Sequence, residues 1–342
     1  MEISQIKQEL KKLQKNYGRL IHVSNKEWYS LFKDEIRNSI AIEGVFTNRN
    51  DLIDVLEKNK RTNKEKSAAI LGYFESASAV YEYAFNQYSE KEFTLRMSDI
   101  KQIHTMLMRY EKDMGTYEGA LGEFRKETVA VTYSTFTPIN EFLVRNAMEL
   151  LIKWVSYHLK KNTYSPSRLA AMAHVWFESI HPFRDGNGRV GRILLSYLLI
   201  GSGLINIAIK GVSKEDRQHY YETLEKADDD FEKIHREIEK GKTFTVNDVD
   251  NMIVQDRFDV LENIIMVRLN DSLNQLKNVK REHIDKEALL PLSDLGRIYD
   301  YSPDYLRNLI NRGKLRARKK GKTWYVRVQD FVNYIEAFDA QC

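Results

Sequence analysis

His181-Pro-Phe-Arg-Asp-Gly-Asn-Gly-Arg-Val-Gly-Arg192 is a tight turn that runs into an apolar stretch, Ile193-Leu-Leu-Ser-Tyr-Leu-Leu-Ile200. That stretch reads as a buried helix. The start of a helix has backbone N–H groups without partners and is the positive end of the helix dipole, so it forms an anion site. Gly186 and Gly188 leave room for backbone to approach an oxyanion, and Asn187 tolerates left-handed backbone. Arg189 and Arg192 are three apart and share one side of the helix, where guanidinium forks suit phosphate oxygens. Asp185 is the type of ligand that holds Mg²⁺ against phosphates. His181, four residues earlier, is the natural general base, and Phe183 is read as packing the turn onto the core. Each feature alone is commonplace in a structural turn. Their order against a helix start points to phosphate chemistry.

The chain of 342 residues is long enough for two domains or for one with appendages. Apolar residues make up 42%, enough for a sizeable core, and five prolines and sixteen glycines are few for an all-β protein. A mainly α fold is expected. The single cysteine, Cys342, excludes an internal disulfide framework and a Cys-rich zinc site. No signal-peptide apolar region opens the chain, and no apolar run approaches the roughly 20 residues that span a bilayer. A cytoplasmic protein without membrane association is therefore expected. A net charge of +4 is too mild to imply nucleic acid by itself.

Helical periodicity covers residues 3–21 and about Lys26–Glu43, Leu52–Leu56, Ser67–Gln87, Ser98–Tyr110 and Asn140–Leu159. Ser165-Pro166 caps the helix that leads into the turn. Between Gly115 and Pro138 the texture changes, and the β-branched run Thr128-Val-Ala-Val-Thr-Tyr133 predicts a strand or hairpin. Helices continue to about Lys280, and residues 281–342 read as a separate unit. There, Leu292–Tyr299 and Asp304–Arg312 predict two short helices. Leu315–Arg318 and Thr323–Arg327 predict strands around a Lys319–Lys322 tip, and Val328–Phe338 a last helix. From Arg307 through Arg327 there are nine Lys/Arg and no Asp/Glu.

His181–Arg192 matches every fixed position of His-x-Phe-x-(Asp/Glu)-Gly-Asn-Gly-Arg-x-x-Arg, the motif of the Fic family. Ser98-Asp-Ile-Lys-Gln-Ile-His-Thr-Met-Leu107 resembles the family's early core helix. Gly122-Glu-Phe-Arg-Lys-Glu-Thr-Val-Ala-Val131, closing at Thr137-Pro138, resembles its β-hairpin flap. The resemblance implies a Fic helical-bundle core over residues 95–225, an N-terminal helical region over 1–94 and a helical connector over 226–280. It also implies transfer of AMP from ATP, with Mg²⁺, to a Ser, Thr or Tyr hydroxyl of a target protein or of the chain itself. His181 would take the hydroxyl proton and Asp185 would bind Mg²⁺. Gly186, Asn187 and Gly188 would form the anion hole, and Arg189 and Arg192 would steady the phosphates. Thr128, Val129, Ala130 and Val131 would pair with the target, and Tyr220 and Tyr221 would flank the adenine. A tyrosine pair on an amphipathic helix is more often simply core. Members of the family often associate through this core, so a homodimer is among the expectations.

Ser39-Ile-Ala-Ile-Glu43-Gly44 places Ser39 and Glu43 on one helix face and ends on a glycine. A carboxylate at a helix C-terminus opposes the dipole and calls for a compensating positive group. The segment resembles the inhibitory motif (Ser/Thr)-x-x-x-Glu-(Gly/Asn) of Fic proteins, which implies an inhibitory helix at about 34–44 with Glu43 competing for Arg192. In some relatives the same glutamate supports removal of AMP, and that activity is not excluded by the sequence. Residues 292–335 are similar to excisionase/MerR-type winged helix-turn-helix modules. This implies duplex-DNA contacts from Arg307 and Arg312 on or beside the recognition helix, and from Lys319, Lys320 and Lys322 at the wing tip. Two alternatives stand beside autoinhibited AMP transfer: a DNA-binding regulator whose Fic core senses nucleotide, and transfer of another nucleotide or phosphate group.

Overall fold

A computed structural model describes residues 1–17, 20–60, 63–129, 137–282, 287–299 and 303–339. Its contacts divide the chain into two units, Met1–Leu273 and Asn274–Cys342. The first is helical. It contains α1 (Ile3–Tyr17), α2 (Lys26–Ile42), α3 (Arg49–Leu56), α4 (Lys64–Glu90), α5 (Met97–Asp113), α6 (Val144–Lys161), α7 (Pro166–Ile180), α8 (Asn187–Gly201), α9 (Lys214–Glu239) and α10 (Val246–Met252). The division falls within α11 (Asp259–Glu282).

The helix starts are written into the sequence. Asn25 accepts from the amides of Glu27 and Trp28, both at 3.1 Å, and Asn48 and Asp51 form a capping box at α3. Ser165 accepts from the Arg168 amide at 3.1 Å, with Pro166 in the first helical position. The last turn of α2 closes on a Schellman pair, Gly44 N–H to Ala41 O at 3.1 Å and Val45 N–H to Ile40 O at 3.0 Å. Gly44 has φ +84°, the left-handed backbone that this ending requires. Glu43 is thereby fixed at the helix end, its side chain on the stripe that also carries Glu35 and Ser39.

Helix α8 is the centre of the unit: every residue from Arg189 to Gly201 is buried. It packs on α4 and α7, and α4 packs in turn on α5. Helix α2 is tied to this centre by a buried polar hub. Glu35 accepts from the hydroxyls of Tyr73 (3.0 Å), Tyr81 (2.5 Å) and Ser196 (3.4 Å) and from Asn206 Nδ2 (2.6 Å). The Trp28 indole donates to the other end of the Asn206 amide at 2.8 Å. A buried carboxylate needs this many donors because nothing else replaces its water.

The predicted helices are present with ends moved by a few residues. The predicted hairpin falls mostly outside the described residues. No strand is formed at 122–129 or 137–139, and 130–136, which include Ala130 and Val131, lie outside the described residues. The second unit has α12 (Leu292–Tyr299), α13 (Pro303–Asn311) and α14 (Val328–Asp339). Its antiparallel sheet runs β1-β3-β2, from β1 (Leu289–Pro291), β2 (Arg318–Lys320) and β3 (Thr323–Arg327). Leu295, Leu306, Leu309, Val326 and Phe331 fill its core, with Tyr299 edge-on to Phe331 at 5.0 Å. Two sequence expectations are corrected here. The wing strand lies at 318–320 rather than 315–318, because Leu315 turns into the core, so Lys319 and Lys320 pair with Trp324 and Thr323 and the tip shrinks to Gly321-Lys322. The strand 289–291 was not expected; it pairs with β3 from Leu289↔Arg327 to Pro291↔Tyr325.

Burial pushes the Glu35 carboxyl up to about 7, against the pull of its four donors. The unfolded chain, with a carboxyl near 4.5, releases this proton first, so this group costs the native state stability as pH rises from about 4.5 to about 7. Glu35→Gln removes that component. The loss of denaturant midpoint between the two ends of this window should therefore be smaller in the variant than in the parent. An equal loss in both would show that Glu35 is ionised throughout.

Candidate active site

The turn predicted to carry chemistry joins α7 to α8. His181 is the residue after α7 and holds left-handed backbone (φ 50°, ψ 60°), with its amide donating to Phe177 O at 3.1 Å. Its Nδ1 lies 3.3 Å from Glu178 O. A proton on Nδ1 is shared with that carbonyl, which leaves the Nε2 lone pair as the basic site. Burial pulls the imidazole down to about 4, so it is neutral at pH 7 and able to accept a proton. Phe183 is fully buried and stacks on His104 at 3.9 Å between centroids, which seats the turn on α5. His104 receives the Gly122 amide on Nδ1 (2.9 Å) and faces Asp185 O with Nε2 (3.3 Å).

A cleft of about 890 Å³ opens beside the turn. His181, Asp185, Gly186, Asn187, Gly188, Arg192, Tyr220 and Tyr221 all line it, and so do Glu43 and Gly44. The Asn187 side chain braces the turn: its Oδ1 accepts from Phe183 N and its Nδ2 donates to Phe183 O, both at 2.8 Å. Only its backbone is left for an anion. Arg189 is directed away from the cleft, where its guanidinium pairs with Glu111 of α5. The two arginines that the spacing put on one side thus have different surroundings. Asp185 is exposed, and its Oδ1 takes the Gly186 amide at 2.5 Å.

Arg192 is 4% exposed. Its Nε donates to Ser39 Oγ at 2.8 Å, its Nη2 to Ser39 O at 3.1 Å, and Nη2 pairs with the Glu43 carboxylate. Burial works against the guanidinium charge and Glu43 outweighs it, so Arg192 is held protonated. At Gly188 a Cβ would sit 2.5 Å from Glu43 Oε1 and 3.1 Å from Arg192 Nη1, so a side chain there would push on the pair. The Tyr220 hydroxyl meets His174 Nε2 at 2.7 Å, and its ring lies 6.0 Å from the Arg192 guanidinium. Tyr221 donates to Ile42 O at 2.9 Å, satisfying a carbonyl at the end of α2.

Several lining residues were not singled out in the sequence. Lys214, Arg217, Gln218 and Leu224 join Tyr221 on one face of α9, and the spacing 214, 217/218, 221, 224 was the available signal. Phe46 lies under the Arg217 guanidinium at 4.8 Å. Glu178, whose carboxyl lies beside His174 and Gly191, is pushed up to about 8 by burial, with Arg192 opposing and Glu43 adding, so it is a neutral acid at pH 7. Nothing in its sequence setting marks it. Thr128, exposed, donates to Glu141 at 3.2 Å, and Val129 is half-buried; neither lines the cleft.

Residues 94–199 match the Fic/DOC family, and residues 289–338 match the helix-turn-helix domain family. The chain carries a Fic domain. The Fic domain holds the whole His181–Arg192 turn, and a helix-turn-helix domain follows it. A curated relative in Aquifex aeolicus, named "Probable protein adenylyltransferase", is 27% identical over 307 residues, 90% of this chain and 88% of its own. "Protein adenylyltransferase Fic" of Drosophila erecta is 31% identical over 140 residues, 41% of this chain and about a quarter of its own length (26%). Among solved structures, a Fic-domain signalling protein of Bacteroides thetaiotaomicron shares the fold with a TM-score of 0.60 at 23% identity, covering 83% of this chain and 99% of its own. Fic-1 of Caenorhabditis elegans does so at 0.55 and 16%, covering 82% and 73%.

The donor set at Asp185 is one carboxylate in a cleft of backbone amides. That suits a Mg²⁺ ion arriving with phosphates, which needs only one or two protein carboxylates. Among the described residues no group of three or more His, Cys, Asp or Glu could hold a metal on its own, and no helix is long and apolar enough to cross a membrane.

The histidine titration is directly measurable. In carbon-13-labelled protein, the His181 ring resonance, assigned by its loss in His181→Ala, should titrate with a midpoint near 4. A midpoint close to the usual 6.5 would show that water reaches the ring freely.

Proposed function

We propose that this chain is a protein adenylyltransferase that transfers AMP from ATP to a protein hydroxyl and is restrained by Glu43. The observation that carries the reading is the single cleft shared by the neutral His181, the amide-lined turn 186–188 and Arg192. The chain's likeness to the adenylyltransferases of Aquifex aeolicus and Drosophila erecta supports it. The attacking hydroxyl oxygen bonds to the α-phosphorus of ATP as the bond to pyrophosphate breaks; His181 Nε2 takes the hydroxyl proton, and the N-terminal amides of α8 steady the phosphate oxygens. Asp185 would hold Mg²⁺, which when bound supplies positive charge against the phosphates. Arg192 is the buried cation left to meet the outer phosphate, but in this arrangement it is spent on Ser39 and Glu43. ATP then binds without its phosphates aligned. Because the Glu43 side chain is 35% exposed, water screens the pair, and the restraint is far weaker than that of a fully buried ion pair.

A second activity has its own observation. The helix-turn-helix match and the exposed cations Arg307, Arg312, Lys319, Lys320 and Lys322 support binding of duplex DNA. Arg307 already pairs with Asp304 at 2.7 Å, so the wing lysines are the stronger phosphate contacts.

Incubated with ATP and Mg²⁺, Glu43→Gly protein should gain the mass of AMP faster than the parent, on the order of tenfold or more. The gain should vanish when His181→Ala is added. No AMP on Glu43→Gly protein, folded by circular dichroism, refutes the transferase. Equal AMP on parent and variant refutes the restraint. UTP and GTP as competitors report the donor. For the second activity, the full chain should bind random duplex DNA at low salt. Replacing Lys319, Lys320 and Lys322 by alanine should lower the slope of log affinity against log salt by about 3. No binding at low salt removes the DNA reading.

A further inference from the structure

Arg125 is buried, 5% exposed, and belongs to no helix or strand. Its guanidinium is used almost entirely on backbone carbonyls. Nε donates to His181 O at 2.8 Å, Nη1 to Glu127 O at 3.1 Å, and Nη2 to Ile139 O and, at 3.4 Å, to Ile180 O. Its own amide donates to Pro182 O at 2.9 Å. Two of these carbonyls, Ile180 and His181, are the terminal carbonyls of α7, which have no partner inside the helix and lie at its negative end. The other two, Glu127 and Ile139, stand on the two arms of the segment between α5 and α6 that the adenylyltransferase reading assigns to the target.

We propose that Arg125 is a positioning residue: one guanidinium sets the spacing of the two arms, 123–129 and 137–139, from His181. The inference rests on the transferase reading, because only there does the spacing set the distance from an incoming hydroxyl to His181 Nε2. The planar fork is what the role requires. It reaches four carbonyls in fixed directions, whereas a lysine ammonium is a point donor and cannot hold the two arms and the turn together. The left-handed backbone of His181 is the conformation this contact preserves, since its carbonyl is held from outside the helix. Arg125 does not line the cleft, so nucleotide contacts are left to other residues.

The test uses the full chain carrying Glu43→Gly, with Arg125→Lys or Arg125→Ala added. Hydrogen exchange is read first, because it is independent of activity. In Arg125→Lys, amides at 126–129, 139–141, 181, 183 and 184 should all exchange faster, by about tenfold or more, while those in the middle of α8 stay unchanged. AMP transfer at saturating Mg²⁺ and ATP should fall by about a hundredfold, with the KM for ATP unchanged, since small misplacements of a reacting group have effects of that size. Ethylguanidinium, but not ethylammonium, should restore part of the rate in Arg125→Ala. Arg125→Lys that transfers AMP at the parent rate overturns the proposal. So does faster exchange at one arm only, or throughout the unit. If the Glu43→Gly parent transfers no AMP, the transferase reading fails, and the exchange pattern alone decides whether Arg125 joins the three segments.

Discussion

A guanidinium taken out of water must be paired, and the pairing of Arg192 organises the Met1–Leu273 unit. Leaving such a group without a partner costs about 3–5 kcal/mol. The helix that carries Arg192 is buried along nearly its whole length, so its partners have to be brought to it. Helix α2 brings them on one stripe: Ser39 to Nε and Glu43 to Nη2. Four residues further back on that stripe, Glu35 fixes α2 to α4, α8 and Asn206. One face of one helix therefore does two tasks, holding the N-terminal region to the core and neutralising the cation of the cleft. Gly44 ends α2 directly after Glu43, and the absent side chain at Gly188 leaves room for the carboxylate beside the turn.

The parts legible in the sequence were those set by local chemistry. Asn25, Asn48 and Ser165 announce helix starts because a cap needs only its own next few amides. The 181–192 turn was legible because its residue types are rare in combination, and the stripe Ser39–Glu43 because helix geometry puts i and i+4 together. What could not be read was decided across the fold. Arg189 and Arg192 are equivalent by spacing, but Glu111 on α5 captures one and α2 the other. Glu178 looks like any surface carboxylate; burial beside His174 and Gly191 makes it a neutral acid. Arg125 sits in a polar loop segment with nothing to distinguish it from the basic residues around it.

The second unit teaches the same lesson at smaller scale. Its alternation of apolar and basic residues placed two strands, but their register depended on where Leu315 finds the core, and it finds it three residues before the strand begins. The strand at 289–291 is too short to show a period and is created by the unpaired edge of β3. Tyr299 packing on Phe331 then joins the start of the unit to its end, which a small core needs in order to close.

The contacts between α2 and the rest of the core also bear on the order in which the molecule comes into being. The Arg192–Glu43 pair joins residues 149 apart in the chain, and the Glu35–Asn206 contact joins residues 171 apart. Contacts of such separation close large loops and form late, after the local helices exist. During synthesis the N-terminal helices leave the ribosome well before residue 192, so α2 can meet α4, through Phe32 and Glu35, before α8 and Asn206 follow. By residue separation alone, the Arg192–Glu43 pair belongs with the contacts of this unit that close last.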